Sequence, residues 1–417
     1  MRSSLRGPPP RRRAARPLGA RAHRRKSPVC REFVAVTRRG TPLAPGPRHP
    51  RHILAGVRML RMVASAERFA CPTEQPVVGP SSPVAVLLNA HAKQVNAEVR
   101  RALSRVVPDE HLYLSRSQDE ASDIAEEVVS RRYGTVFTGG GDGTFVAWVN
   151  RILESAERRA ARPPRFGVLA LGTGNAVAEM VGATPRRHAQ DLARFLRGDI
   201  GGVRRLDLVT CAGRRTPFAG VGVDAAVVND YCWIRERLSG TPLRKLCLGA
   251  PGYGLAVALR SAPRYLLERR PAYCEIVNVG RAAWRLDGSG ERIGRPIAHG
   301  ELLYAGPCMM AAASTVPYYG LGLRAFPFAG RAPGVMQLRL ATSIGVPTVL
   351  MNLPSIWSGD FAHEGLLDFH ADRVALRFER PMPLQVGGDA EGWRDELTFG
   401  VAANPVEIVD FGPRAAA

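Results

Sequence analysis

The chain has 417 residues and a formal net charge of +21, a length that allows two or three domains. Residues 1–70 hold 18 Lys and Arg against 2 Asp and Glu, whereas residues 71–417 hold 40 against 35. The positive charge is concentrated in the head of the chain, and the nearly balanced remainder argues against a specific nucleic-acid binder.

Residues 1–82 are predicted to be a disordered basic head followed by a linker. Arg, Pro, Ala and Gly dominate the head without apolar periodicity, which is typical of disorder. One interpretation is a polybasic arm for an anionic membrane or nucleic acid. The other, which we favour, is an overcalled start, with the true one at Met59 or Met62.

The seven cysteines favour a reducing compartment, because their number is odd, their spacing is wide and no C-x-x-C occurs. This pattern argues against a disulfide framework and a zinc site. No stretch has the length of a charge-free transmembrane helix. We therefore expect a cytoplasmic protein that meets membranes only from the surface. Residues 244–270, with basic ends and an apolar middle, suit either a membrane interface or helices packed over the second domain.

From residue 83 onward the pattern is β-α-β-α-β-α-β, which is typical of an open parallel sheet covered by helices. We predict an α/β domain over residues 83–210. Its segments, in chain order, are VAVLLNA (84–90), NAEVRRALSRVV (96–107), HLYLSR (111–116), QDEASDIAEEVVSRR (118–132), TVFTGGGDGTF (135–145), FVAWVNRILESAERRAAR (145–162), FGVLAL (166–171) and GTGNAVAEMVG (172–182).

Beyond about residue 205 short strand-like runs alternate with turn residues, and helical patterns are confined mainly to 229–268 and 343–357. This texture predicts a second, mostly antiparallel β domain over residues 211–411.

A glycine-rich turn follows the third strand. Four glycines and a threonine surround Asp142 there, and they are Gly139, Gly140, Gly141, Gly143 and Thr144. The turn lacks the P-loop lysine and the dinucleotide spacing, yet such glycines let backbone N–H groups face an anion at a helix N-terminus. Asp142 would repel phosphate, so it suits a Mg²⁺ ion or an attacking hydroxyl. The alternative is a plain turn with Asp142 as a helix cap.

A second turn, LGTGN (171–175), follows the next strand. Its glycines, Gly172 and Gly174, offer another backbone nest, with Thr173 and Asn175 as polar groups. A turn with an N-cap is the alternative. Two such turns on successive βα units favour a phosphate site, since ligands bind at the carboxyl ends of such strands.

GGDGT, LGTGN and the acid pair in GGDAE (387–391) together resemble the diacylglycerol kinase catalytic domain family, which includes bacterial lipid kinases and sphingosine kinases. The resemblance spans about residues 83–411. Three further segments also resemble the family. NAHAK (89–93) resembles its first nucleotide loop, and FAGVGVDAAVV (218–228) resembles its turn into the second domain. PYYGLGLRAFPFA (317–329) resembles a stretch of its bacterial members.

This resemblance implies a nucleotide domain like that of phosphofructokinase and NAD kinase. It also implies a β-sandwich-like lipid domain whose end packs back on the first domain, with the active site between the two. ATP and Mg²⁺ are the implied cofactors, and Asn89 and Ser115 are implied nucleotide contacts. By the same resemblance Asp389 accepts the proton of the attacking hydroxyl, while Glu391 or Asp142 organises metal or substrate.

Several positions depart from the family pattern. Val146 and Ala147 replace Asn and Glu, Ala170 replaces Pro, Ala176 replaces Asp, and Ala390 interrupts the late Asp-Gly-Glu. Pro333-Gly334 stands where some bacterial members have an Asp-Gly pair that helps to hold a structural Mg²⁺, so we do not expect that metal site.

The sequence thus favours an ATP-dependent lipid kinase that phosphorylates diacylglycerol or a similar lipid alcohol at the membrane surface. One alternative is a kinase of the same fold with a soluble acceptor. Another is a non-catalytic lipid- or nucleotide-binding relative, motivated by Val146, Ala147 and Ala176. The acceptor and the oligomeric state, a homodimer included, stay open.

Overall fold

A computed structural model describes residues 83–92, 94–172, 174–238, 241, 271–320 and 322–412. The predictions for residues 1–82, for residues 244–270 and for Thr173 lie outside this part of the chain.

The described elements follow one another in a regular order. They are β1 (Val84–Asn89), α1 (Ala97–Ser104), a short 3-10 helix (Asp109–His111), β2 (Leu112–Ser115), α2 (Gln118–Ser130), β3 (Thr135–Gly140), α3 (Asp142–Arg158), β4 (Arg165–Ala170), α4 (Ala176–Met180), α5 (His188–Leu196), β5 (Gly202–Leu206), β6 (Val209–Cys211), β7 (Arg214–Thr216), β8 (Phe218–Gly222), α6 (Val223–Arg237), β9 (Ala272–Asn278), β10 (Ala283–Leu286), β11 (Arg292–Ile297), β12 (Leu302–Cys308), β13 (Met310–Ser314), β14 (Met336–Ala341), α7 (Val346–Met351), α8 (Leu353–Ser358), β15 (Leu366–Ala371), β16 (Arg373–Val386), β17 (Asp389–Val401) and β18 (Val406–Asp410).

The first sheet has the strand order β2-β1-β3-β4-β18-β5. All neighbours in it are parallel except β18 and β5, which are antiparallel. Its central strands are largely buried, and β1 buries Val84 to Leu88 completely or nearly so, as expected for strands covered by helices on both faces. The predicted α/β domain with a mostly parallel sheet is confirmed.

Two helices differ from their predicted bounds. α3 begins at Asp142, one residue after the end of β3, so Asp142, Gly143 and Thr144 belong to the helix and not to a loop before Phe145. α6 begins at Val223, before the helical region predicted from residue 229, and Gly222 with φ of 109° precedes it at the end of β8. The amphipathic helix α5, which buries Leu192 and Phe195, was not predicted at all.

The second sheet is antiparallel and contains twelve described strands in the order β11-β10-β15-β14-β13-β8-β16-β17-β6-β7, with β9 joining β12 to β16. β16 is shared, because residues 374–378 pair with β9 while residues 384–386 pair with β8. Side chains from both branches bury a common apolar core, among them Ile276, Leu338 and Leu376. The predicted antiparallel, β-rich second domain is confirmed.

None of the helices in the described part of the chain has the length and apolar character that would let it cross a bilayer.

Candidate active site

The two glycine-rich turns lie side by side at one edge of the first sheet. β3 and β4 are parallel neighbours, with Gly139 opposite Leu169 and Gly140 opposite Ala170, so their carboxyl ends meet. Asn89 and Ser115 end the adjacent strands β1 and β2 and pair with each other. The sheet therefore brings both turns and both implied nucleotide contacts to its carboxyl edge, where such sheets bind ligands.

The glycines of these turns are required by close packing and not by unusual backbone angles. None of the described glycines of the two turns has a positive φ. A Cβ on Gly172 would overlap the backbone of Gly141, and a Cβ on Gly140 would overlap the side chain of Thr144. The two turns thus touch backbone to backbone, a contact that only glycine permits.

Asp142 joins the two turns through its carboxylate. Its Oδ2 accepts the N–H of Ala176 at 2.9 Å, and its Oδ1 accepts that of Val177 at 3.2 Å. Its own N–H donates to the carbonyl of Gly174 at 3.3 Å. The carboxylate therefore caps α4, and not α3, to which Asp142 belongs.

Burial raises the pKa of Asp142, although the two backbone N–H groups act in the opposite direction. A buried carboxylate with a raised pKa is more basic than an exposed one. Each oxygen retains a lone-pair direction beyond its amide contact.

The first turn of α3 presents backbone donors toward the same edge. Gly141 caps this helix without any side-chain hydrogen bond, and the N–H groups of Gly143 and Thr144 lie in the first turn, where a helix offers no acceptor of its own. Unpaired N–H groups and the positive end of the helix dipole are the features of a helix N-terminus that favour anions.

The second domain supplies an acidic side chain to this surface. Asp389 is the first residue of β17 and its side chain is 57% exposed. A Cβ placed on Gly143 would lie 3.7 Å from Asp389 Oδ1 and 3.8 Å from Oδ2. The structure thus brings the late acid predicted from GGDAE directly against the glycine turn.

Arg214, on β7, anchors the acid pair. Its guanidinium pairs with Glu391 and lies 3.4 Å from Asp389 Oδ2. Asn150 of α3 holds the neighbouring residue, since its side chain exchanges hydrogen bonds with both the N–H and the carbonyl of Arg215 at 2.9 and 2.7 Å. Sequence analysis missed Arg214, and no local motif marks it.

A partly buried polar network supports the turn before Asp389. Gln385 Oε1 accepts the N–H of Gly388 at 2.9 Å, and its Nε2 donates to Asp224 Oδ2 at 3.2 Å. Tyr319 donates its hydroxyl to the same carboxylate. Burial raises the pKa of Asp224 and of Tyr319. The segments that hold Asp224 and Tyr319 were singled out by resemblance, but this role was not predicted.

Two departures from the family pattern fit these contacts. Val146 is buried and lies 3.1 Å from the position that a Cβ on Gly387 would take, so an apolar side chain packs under the turn before Asp389. Ala176 contributes its backbone N–H to Asp142, a contact that needs no particular side chain.

Other predicted residues make local contacts. Asn89 accepts the N–H of His91 at 2.9 Å, and the buried Ser115 hydroxyl donates to the Leu88 carbonyl at 3.4 Å. Asn175 closes its own turn by bonding both backbone groups of Gly172. Gln94, which sequence analysis missed, also donates to the Gly172 carbonyl at 3.2 Å.

Two touching glycine turns at the edge of a parallel sheet, with an acid delivered from a second domain, form the arrangement of a phosphotransferase site. The comparison with protein families agrees with this class. Residues 83–211 match the family model described as diacylglycerol kinase catalytic domain, so the resemblance inferred from the motifs is confirmed for this part of the chain.

Solved structures share the fold over a longer stretch. A putative diacylglycerol kinase from Bacillus anthracis str. Sterne, at 15% identity and a TM-score of 0.52, covers 79% of this chain and 97% of its own. A second such structure has 16% identity, a TM-score of 0.52 and the same coverage. A third, titled a diacylglycerol kinase from the same organism, has 13% identity, a TM-score of 0.50 and the same coverage. A search of curated proteins returned no match.

Proposed function

We propose that the protein is an ATP-dependent lipid kinase that transfers a phosphoryl group to the hydroxyl of diacylglycerol or a similar lipid alcohol. The observation that carries this proposal is the position of Asp389. An exposed carboxylate of the β domain faces Gly143 in the first turn of α3, where backbone donors would hold phosphate. A base and phosphate-binding N–H groups thus lie side by side, as the attack of an acceptor hydroxyl on a held phosphate requires.

The reaction follows from these positions. The N–H groups of the first turn of α3 hold the terminal phosphate and stabilise the charge that develops on it. Asp389 orients the acceptor hydroxyl and takes its proton as the oxygen attacks in line. Arg214 and Glu391 keep the Asp389 side chain in place, so most of the rate acceleration comes from positioning.

A magnesium ion would bind together with the nucleotide and not in a site formed by protein side chains alone. The described residues contain no group of three or more His, Cys, Asp or Glu side chains placed to hold a metal. Mg²⁺ in kinases keeps several waters and binds mainly phosphate oxygens with one or two carboxylates. Asp142 and Asp389 are the carboxylates in place, and the ion would neutralise phosphate charge.

The proposal is tested with labelled ATP, Mg²⁺ and the purified full-length chain. We expect label in diacylglycerol or another lipid alcohol in mixed micelles, and none in NAD or sugar phosphates offered at the same concentration. Glu291→Gln, on an exposed turn of the β domain, serves as the matched acid replacement and should retain full transfer.

Two outcomes would contradict the proposal. Label transfer to NAD or to a sugar phosphate in preference to every lipid would identify a kinase with a soluble acceptor. ATP binding without transfer to any acceptor would identify a non-catalytic relative.

A second expectation concerns Gln385, which positions the turn before Asp389 without reaching the proposed substrates. Gln385→Leu removes the acceptor of the Gly388 N–H and one donor to Asp224. We expect kcat to fall by about 10- to 100-fold while the Kd for ATP stays the same, because a displaced base costs alignment and not nucleotide binding. Steady-state kinetics and an ATP titration measure both quantities. A parallel loss of ATP affinity would show that the network supports the fold and not the base.

A further inference from the structure

The helical pair α7 and α8 presents large apolar side chains that are exposed in the described part of the chain. α8 has the sequence LPSIWS and buries none of its side chains. Met351 is 76% exposed, Leu353 46% and Trp357 48%. Residues 343–359 contain no Asp, Glu, Lys or Arg. Three large apolar side chains are thus concentrated on one uncharged segment, which we call the α7–α8 surface.

The composition of this surface suits a membrane interface. Trp is enriched at the depth of the headgroups, and exposed apolar side chains bind the boundary between headgroups and acyl chains in proportion to the apolar area that they bury. Arg324 is exposed, and it lies against Gly359 at the end of α8, 3.2 Å from the position of a Cβ there. A cation beside an apolar tip matches the anionic headgroups of a bilayer.

The α7–α8 surface is connected to the candidate active site through residues 317–320 and 322–324. The N–H of Arg324 donates to the carbonyl of Trp357 at 3.0 Å. Earlier in the same segment, Gly322 donates to Glu179 of α4 at 3.1 Å. A Cβ on Gly320 would lie 3.5 Å from the Cα of Gly174 and 3.9 Å from Asp142 Oδ2. One short segment therefore contacts the exposed helices at one end and the glycine turns at the other.

A second copy of the chain is a poorer occupant for this surface. Each helix has six residues and is therefore about 9 Å long. A stable protein–protein interface buries about 800 Å² on each partner, which is more than three side chains on two short helices supply. A bilayer needs no shape-matched partner surface, since its binding scales with the apolar area that inserts.

We propose that the α7–α8 surface docks the protein on an anionic phospholipid membrane. The docking deepens the proposed function, because it places the active site at the surface where a lipid acceptor lies. Vesicle binding is nevertheless measured without ATP and without acceptor, so a negative result for docking is distinguishable from a negative result for kinase activity.

Flotation of the full-length chain with vesicles of 70% phosphatidylcholine and 30% phosphatidylglycerol provides the test. We expect the wild type to float with these vesicles. The pair Met351→Ser with Leu353→Ser, and separately Trp357→Ala, should lower the partition coefficient by at least about tenfold. Leu302→Ser is the matched control, because Leu302 is also apolar and 51% exposed but lies on β12. Its partition coefficient should equal that of the wild type.

Three flotation results would overturn the docking. They are a wild type that does not float, α7–α8 variants that float as well as the wild type, and an equal loss in Leu302→Ser. Light scattering adds a fourth, a wild-type dimer that the Met351→Ser and Leu353→Ser pair converts to a monomer, which would make the surface an interface between copies.

Activity separates the docking from the chemistry. The α7–α8 variants should phosphorylate water-soluble dioctanoylglycerol at the wild-type rate and lose transfer only to acceptor embedded in vesicles. Equal loss on both acceptors would overturn docking as the role of this surface. A wild type that floats but phosphorylates no lipid would refute the proposed function and leave the docking intact.

Discussion

Replacement of Asp389 by asparagine is expected to lower kcat for lipid phosphorylation by about 10²- to 10⁴-fold, the usual contribution of a general base. Asparagine has the same size and can still accept a hydrogen bond from Arg214, so the fold of the turn should be preserved. Only the ability to take a proton is removed. Steady-state kinetics at saturating ATP and acceptor measure the change.

The affinity for ATP should change less than about threefold in Asp389→Asn, because a group that acts mainly in the transition state contributes little to ground-state binding. Asp389 belongs to the β domain, whereas the N–H groups proposed to bind phosphate belong to α3. An ATP titration of the variant checks this. A large loss of ATP affinity would mean that the carboxylate serves the nucleotide or its metal instead.

Glu391→Gln is the matched comparison for this experiment. Glu391 pairs with Arg214 and is less exposed than Asp389, at 28% against 57%. We expect its replacement to lower kcat only about tenfold, through a looser Asp389 side chain. If Glu391→Gln were the more damaging change, the roles of the two acids would be reversed.

Sequence patterns predicted the order of elements in the α/β domain because the signals there are local. Continuous apolar runs such as VAVLLN mark buried strands, and the glycines of both turns lie at strand ends. Parallel pairing then places the turns together without further information. The antiparallel character of the second domain followed likewise from frequent turn residues.

The contacts that assemble the site were not predictable, because they join residues far apart in the sequence. Asp142 meets Ala176 and Val177 at separations of 34 and 35 residues, and Arg214 meets Asp389 at 175. Nothing local in GGGDGT shows that its carboxylate caps α4. The start of α3 was predicted too late, at Phe145, for a related reason. Gly143 has a low helix propensity, and tertiary contacts stabilise the helical turn that contains it.

The second large effect is expected for Asp142, whose carboxylate stabilises the fold and holds the two glycine turns together. Asp142→Ala leaves the N–H groups of Ala176 and Val177 buried without an acceptor. Hydrogen bonds to a charged group contribute about 1.5–3 kcal/mol each. We expect the free energy of unfolding to fall by about 2–4 kcal/mol, because burial of the carboxylate offsets part of the gain. Urea denaturation of wild type and variant measures the difference.

Asp191→Ala separates stability from ligand binding. Asp191 is also a buried aspartate of the α/β domain, and its carboxylate accepts the N–H and hydroxyl of Thr184 at 2.6 and 3.2 Å. Its replacement should cost a similar free energy of unfolding, by the same loss of two hydrogen bonds. It should leave the Kd for ATP unchanged, since neither residue belongs to a glycine turn.

Asp142→Ala should instead raise the Kd for ATP at least about tenfold, since α4 and the LGTGN turn lose the contact that holds them against the first turn of α3. Both titrations are made well below the temperature at which either variant unfolds. Equal ATP affinities for the two variants would contradict the inference, because the carboxylate would then stabilise the domain without organising the phosphate-binding turns. Loss of ATP binding in Asp142→Ala alone would show that the phosphate site depends on the contact of the Asp142 carboxylate with α4.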